Sequence, residues 1–337
     1  MNTWLRVVML FASVATSFAQ TRVTTSYFSF TTDDFWLNLH HYLYVLGRAH
    51  NGTPDSTLPA VATASDDEKE GLALLSDDER RTWTAAVDAY AKGLSRQESM
   101  FQLPLAAMTT RLAKTGDVEA FPVSTLSASD RATLEMAAPV YRKAWWPRHR
   151  AMNEQYVAEL QQQVDRDGPE IVRFLTRVYG FEWPSRSYPT HVVKYAMWGG
   201  AFSFTGRMMI LSSNPNVQNA GWSPLESVFH EAMHQWDDRW ADVLKAPATA
   251  RGVAVPRDLS HALIFYTTGE AVRRLHPEHV PMVDALDLWK GTLSGGTLPV
   301  KRLQPAIQQI WKPHLDGRGN RDEAVAALVA AAAAATP

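Results

Sequence analysis

Two histidines four residues apart, His230 and His234, dictate the local structure of their segment if their rings are to act together. Only a helix brings positions i and i+4 onto one face. The surrounding residues agree. Ser223-Pro224-Leu225-Glu226 has the form of a capping box with proline at the first helical position. Phe229, Met233, Trp236 and Trp240 recur at helical spacing and form an apolar stripe opposite the histidines. The pattern predicts a helix over Pro224–Leu244. Two imidazoles so placed can meet one zinc ion at about 2.1 Å, and Glu231 between them points to the neighbouring side, where a carboxylate can take a proton from water. The bland alternative is a buried helix carrying two hydrogen-bonded histidines.

Composition removes several competing chemistries. The chain has no cysteine, which excludes disulfides, thiolate nucleophiles and Cys-ligated metals. Its net charge is −2 and no basic block interrupts it, so nucleic acid is not an expected partner. No apolar run is long enough to cross a bilayer. The first residues have the form of an export signal: Arg6, an apolar core over Val7–Thr16, then small residues around Phe18, with cleavage expected after Ala19. An exported chain without cysteine fits a bacterial periplasm or exterior.

The expected organisation is a leader over 1–19, a helical N-terminal subdomain over 20–180 and a metal-binding subdomain over 181–337. Thr32-Asp33-Asp34 caps a helix over Phe35–Arg48 that is apolar all around. Ser76-Asp77-Asp78-Glu79 is a second capping box, opening a helix through Ala91. Further helices are expected at Ser95–Lys114, Ser129–Trp146, Arg148–Asp165 and Pro169–Tyr179. Asn51–Asp67 and Lys245–Arg257 read as loops because of their proline and polar content. Between Gly180 and Gly221, His191–Trp198 and Ala201–Ser213 are rich in β-branched and aromatic residues. With turn chemistry at Gly199-Gly200 and Thr205-Gly206, they predict a small antiparallel sheet. The fold class expected is therefore α+β, predominantly α-helical.

The stretch Ser227-Val228-Phe229-His230-Glu231-Ala232-Met233-His234-Gln235-Trp236 resembles the extended HExxH motif of the zincin metallopeptidases, with uncharged residues around the histidines and no proline. The resemblance extends loosely over Val192–Arg274 and leaves out the N-terminal half. It implies zinc held by His230 and His234, Glu231 as general base, and a peptide or protein substrate lying along a strand within Ala201–Leu211. The third ligand stays open. Asp237-Asp238-Arg239-Trp240 stands where metzincins place a further histidine. The gluzincin arrangement takes a glutamate from a later helix, and Thr268-Gly269-Glu270-Ala271 offers one.

Glu270 is the expected third ligand and His261 its rival, the two falling on opposite faces of one helix. His261 and Tyr266 are candidate catalytic groups as transition-state hydrogen-bond donors. Asp237 is a candidate to orient a metal-bound histidine, or a solvated helix end. Arg274, one turn past Glu270, is that residue's competing partner. His40 and His41 read as core histidines, His149 as surface, and His314 has no evident partner. Beside the metallopeptidase stand two alternatives: a zinc esterase or amidase for a non-peptide substrate, and a non-catalytic binding module with a structural metal.

Overall fold

The computed structural model describes residues 22–334 apart from 25, 53–58, 98–102, 114, 119–120, 122–125, 197–199, 205–207, 215–218, 256–257 and 291–299. The leader expected over 1–19 lies outside them, as do the turn residues Gly199, Thr205 and Gly206.

The fold is α+β and mainly helical. Among the described residues six α-helices precede most of the sheet: α1 (Phe35–Asn51), α2 (Pro59–Leu72), α3 (Asp77–Lys92), α4 (Leu103–Leu112), α5 (Ala128–Ala144) and α6 (Trp146–Tyr179). Their starts follow local chemistry. The Ser76 and Glu79 side chains and backbones form the reciprocal capping box expected at α3, and Ser127 caps α5 by accepting from the Asp130 amide. Asp34 precedes α1 but its side chain makes no cap bond; its carboxylate reaches His191 instead, at 2.6 Å.

Two segments expected to be loops are partly helical. Pro59 sits at the first position of α2, where a missing N–H costs nothing, and Ala-rich sequence follows. Helix α8 (Asp237–Arg251) runs through Pro247 and stops at Gly252, whose φ of 65° is a left-handed cap. Likewise α6 is one helix, not two. Pro169 lies on its solvent side, so the ring and the lost hydrogen bond disturb no packing.

Among the described residues five strands form one sheet: β1 (Arg22–Thr24), β2 (Phe28–Thr31), β3 (Tyr188–Val193), β4 (Ala201–Phe204) and β5 (Met208–Ser212), in the order β1-β2-β3-β5-β4. The sheet is mixed, not antiparallel: β2 runs parallel to β3 and β3 to β5, while the two outer pairs are antiparallel. Turn chemistry exposes only the β4–β5 hairpin in the sequence. Parallel neighbours are joined by long crossovers, here the whole block of helices between Thr31 and Tyr188, which leave no local signature.

The sheet divides two cores. Val193, Tyr195, Phe202 and Ile210 face α1, α3 and α5, and α1 is buried from Phe35 to Arg48 as its apolar circumference predicts. Val192, Met209 and Leu211 face the other way. There they meet α6 from Val157 onward, α7 (Ser223–Met233), α8, α9 (Leu259–Leu275) and the C-terminal helix Arg321–Ala334. The 34 residues of α6, about 51 Å long, reach both cores. The second core thus takes Phe28 and Phe30 from the N-terminus and half of α6, so the cores do not separate at residue 180. Among the described residues no helix is long and apolar enough to cross a membrane.

Candidate metal centre

A helix forms at the histidine motif, but its start differs from the one expected and it is not continuous to Leu244. α7 begins at Ser223 with Pro224 in its first turn, and Trp222 occupies the cap. Glu226 does not turn back to close a capping box. It is fully buried, accepting from the Met282 amide at 2.9 Å and lying 2.6 Å from His279 Nε2. Burial pushes its carboxyl above the usual range. Leu225, Val228, Phe229, Ala232 and Met233 are all buried, and each large side chain contributes roughly 1.5–3 kcal/mol to seating the helix. α7 ends at Met233; His234–Trp236 form a 3₁₀ turn that leads into α8.

His230 and His234 are joined by His261, near the start of α9. Ligand nitrogens of the three lie within 4.8 Å of one another, and this is the only such group of possible metal ligands among the described residues. The Nε2 atoms of His230 and His261 are 3.1 Å apart. The ring centroids stand at 5.1–5.3 Å in each of the three pairs, a nearly equilateral arrangement. A tetrahedral zinc site with bonds near 2.1 Å needs nitrogens about 3.4 Å apart, so the donor set fits a metal ion. Phe265, one turn beyond His261, lies over His230 at 3.9 Å between centroids and walls the group from one side.

Protonation supports ligation. Burial, then the neighbouring histidines, hold His230 well below its usual pKa, and burial with His234 lowers His261 to about 3. Both rings are neutral, with lone pairs to give. Burial also opposes charge on His234, but the hydrogen bond it donates to Asp237 and the Glu231 and Asp237 carboxylates outweigh it, and its pKa rises. Asp237 Oδ2 stands 2.9 Å from His234 Nδ1, which leaves Nε2 facing the cluster.

Glu231 is buried beside the cluster. Burial, the largest influence, raises its carboxyl to about 7 against the pull of His234 and a hydrogen bond from Ser203. Ser203 belongs to β4, the edge strand next to α7. The sequence singled out neither Ser203 nor Phe265. A phenylalanine four residues after His261 was the available clue for the second; for Ser203 there was none.

Glu270 is not part of the group, which corrects the expected ligand set. Its carboxylate pairs with Arg273 and lies 3.3 Å from Lys312 Nζ. Because α9 runs unbroken from Leu259 to Leu275, His261 and Glu270 face opposite ways, and the helix turns its His261 face to α7. Arg274, the partner anticipated for Glu270, pairs with Asp316 instead. Tyr266 stands about 140° around the helix from His261, against Trp289 and under the influence of Glu270. It does not join the cluster.

Three of the remaining histidines pair with groups away from the cluster. His40 meets the Tyr90 hydroxyl at 3.0 Å, and His314 Nε2 lies 3.0 Å from the Val178 carbonyl. His149, expected at the surface, is fully buried between Tyr141 and Asp67. No protein family model, curated protein or solved structure matches the chain.

Proposed function

We propose that the protein is a zinc-dependent hydrolase that cleaves peptide bonds, with His230, His234 and His261 as the metal ligands. The observation that carries this reading is the buried Glu231 carboxyl, raised to about 7, beside a cluster of three histidines whose ligand nitrogens lie within 4.8 Å of one another. A structural zinc takes four protein ligands, whereas three protein donors leave a position for substrate or water. Zinc in this position would supply Lewis acidity toward a scissile carbonyl and toward the attacking water.

The chain's own residues supply the rest. Glu231, poised near neutral pH, takes a proton from the attacking water and returns it to the leaving amine. The Ser203 hydroxyl holds the Glu231 carboxylate in place. Asp237 keeps the His234 ring oriented, and Phe265 keeps water away from the back of His230. The preference for an extended peptide rests on β4. It pairs only with β5 among the described strands, so its outer edge can accept a chain in register beside Ser203 and Glu231.

The test is Glu231→Gln, which keeps the shape of the side chain but removes the base. Peptide cleavage by the zinc-loaded protein should fall by at least about a hundredfold while zinc content is unchanged. Cleavage that survives the substitution removes Glu231 from the mechanism.

A further inference from the structure

Glu226 and Gly269 share helix faces with the metal-site histidines, yet stand outside the cluster. Glu226, His230 and His234 follow one another at four-residue intervals along α7, whose helical backbone carries through to His234, so they share one face. On α9, His261, Phe265 and Gly269 have the same spacing. The two stripes meet in opposite order. His234 faces His261 with ring centroids 5.2 Å apart, and His230 faces Phe265 at 3.9 Å. At the far end Glu226 faces Gly269: Glu226 Oε1 lies 3.1 Å from the place a Cβ of residue 269 would take. The two helices thus pair antiparallel, with the histidines at one end and Glu226 against bare backbone at the other.

Glu226 is fixed from the other side by the chain that leaves α9. His279 Nε2 stands 2.6 Å from its Oε2, and the Met282 amide donates to the carboxylate at 2.9 Å. Pro281, between them in sequence, lies against Gly269, its Cβ 2.6 Å from the same Cβ position. Ser227 Oγ, next along α7, is 3.1 Å from Met282 Sδ. The segment after α9 therefore folds back over Gly269 and grips the first turns of α7. The Glu226 side chain is 0% exposed and that of His279 3%. Burying a carboxyl is costly, and a buried pair of this kind adds little stability over an apolar pair of the same size. Its hydrogen bonds are met in one alignment only, so what it contributes is register. A slide of one helical turn, about 5.4 Å, would leave Glu226 without partners and carry His230 past His261.

We propose that Glu226 is a positioning residue of the metal centre: held by His279 and the Met282 amide against Gly269, it sets the register and separation of α7 and α9, and thereby the distance between His230 and His261. The inference rests on the metal site of the proposed function. Glu226 precedes His230 by four residues, about 6 Å of helix, and acts through the backbone of α7 without being a ligand itself. A ligand set must be held to within about 0.5 Å by the elements that carry it, so a lock on the helix pair bears directly on metal affinity.

Cobalt(II) titration against a competing chelator tests the proposal, because the visible absorption of bound cobalt reports how its ligands are arranged as well as how tightly it is held. Three variants are compared with wild type after circular dichroism has checked their fold. Glu226→Ala removes the lock, and Gly269→Ala forces the helices apart from the other side. Glu270→Gln, on the opposite face of α9, controls for general loss of stability. The first two should bind cobalt at least about tenfold more weakly than wild type and show a shifted spectrum, while Glu270→Gln keeps the wild-type affinity and spectrum. If Glu226→Ala does not fold, Gly269→Ala decides alone. Unchanged affinity and spectrum in either folded variant overturns the role of Glu226 and leaves the metal centre standing. Equal weakening in all three also overturns it, by tracing the effect to stability. A wild-type protein that binds no cobalt removes the metal centre itself, and this role with it.

Discussion

The Asp237 carboxylate reaches back three residues to His234 Nδ1, 2.9 Å away, across the junction between the 3₁₀ turn and α8. This fixes one tautomer of His234 and turns its Nε2 toward His230 and His261. Carboxylates so placed raise the basicity of a ligand imidazole. Asp237→Ala should therefore lower zinc affinity about ten- to a hundredfold in competition with a chelator, with little change in fold by circular dichroism. Unchanged affinity would reduce Asp237 to a helix-start residue.

His261 and Glu270 can be separated directly. His261→Ala should lose bound zinc in elemental analysis of the purified protein, whereas Glu270→Gln should retain about one zinc per chain. The second variant should instead lose stability, because Arg273 and Lys312 are left beside an uncharged amide. Zinc lost from Glu270→Gln and kept in His261→Ala would reverse the assignment.

Gly269 allows α9 to come against α7 and the loop after His279. A Cβ built there would lie 2.6 Å from Pro281 Cβ and 3.1 Å from Glu226 Oε1. Neither neighbour can move freely, since Glu226 is held by His279 and Met282. Gly269→Ala should cost about 1–3 kcal/mol in denaturant unfolding, although alanine favours helices elsewhere. A stabilised variant would show that the two helices can part at no cost.

Lys194 gives a pH dependence of stability. Its pKa is about 8 in the folded protein against 10.5 for an ordinary lysine. Between these values the unfolded chain holds a proton that the folded one lacks, so this residue makes stability rise with pH. Below about pH 8 the penalty of the buried charge is complete, about 3 kcal/mol. Lys194→Met should be the more stable protein at pH 7, and its advantage should fade as pH approaches 10.5. An advantage constant over pH 7–10.5 would mean that packing, not charge, distinguishes the two.

The histidine helix was legible from sequence because its determinants are local: a four-residue spacing, a proline in the first turn and an apolar stripe. The same holds for the capping box of α3 and the buried circumference of α1. What sequence did not decide was which face of α9 meets α7. His261 and Glu270 lie nine residues apart on opposite faces, and either face offers a side chain able to ligate a metal. Rotation about the helix axis was fixed by packing, with Phe265 and His261 turned to α7 and Glu270 buried on the opposite face beside Arg273 and Lys312. Likewise Glu226 at the start of α7 looks like a cap residue until His279, 53 positions later, is brought beside it. The parallel strands also depend on long crossovers. Spacing along the chain determined which residues share a helix face; only the packing of helices and strands decided what those faces meet.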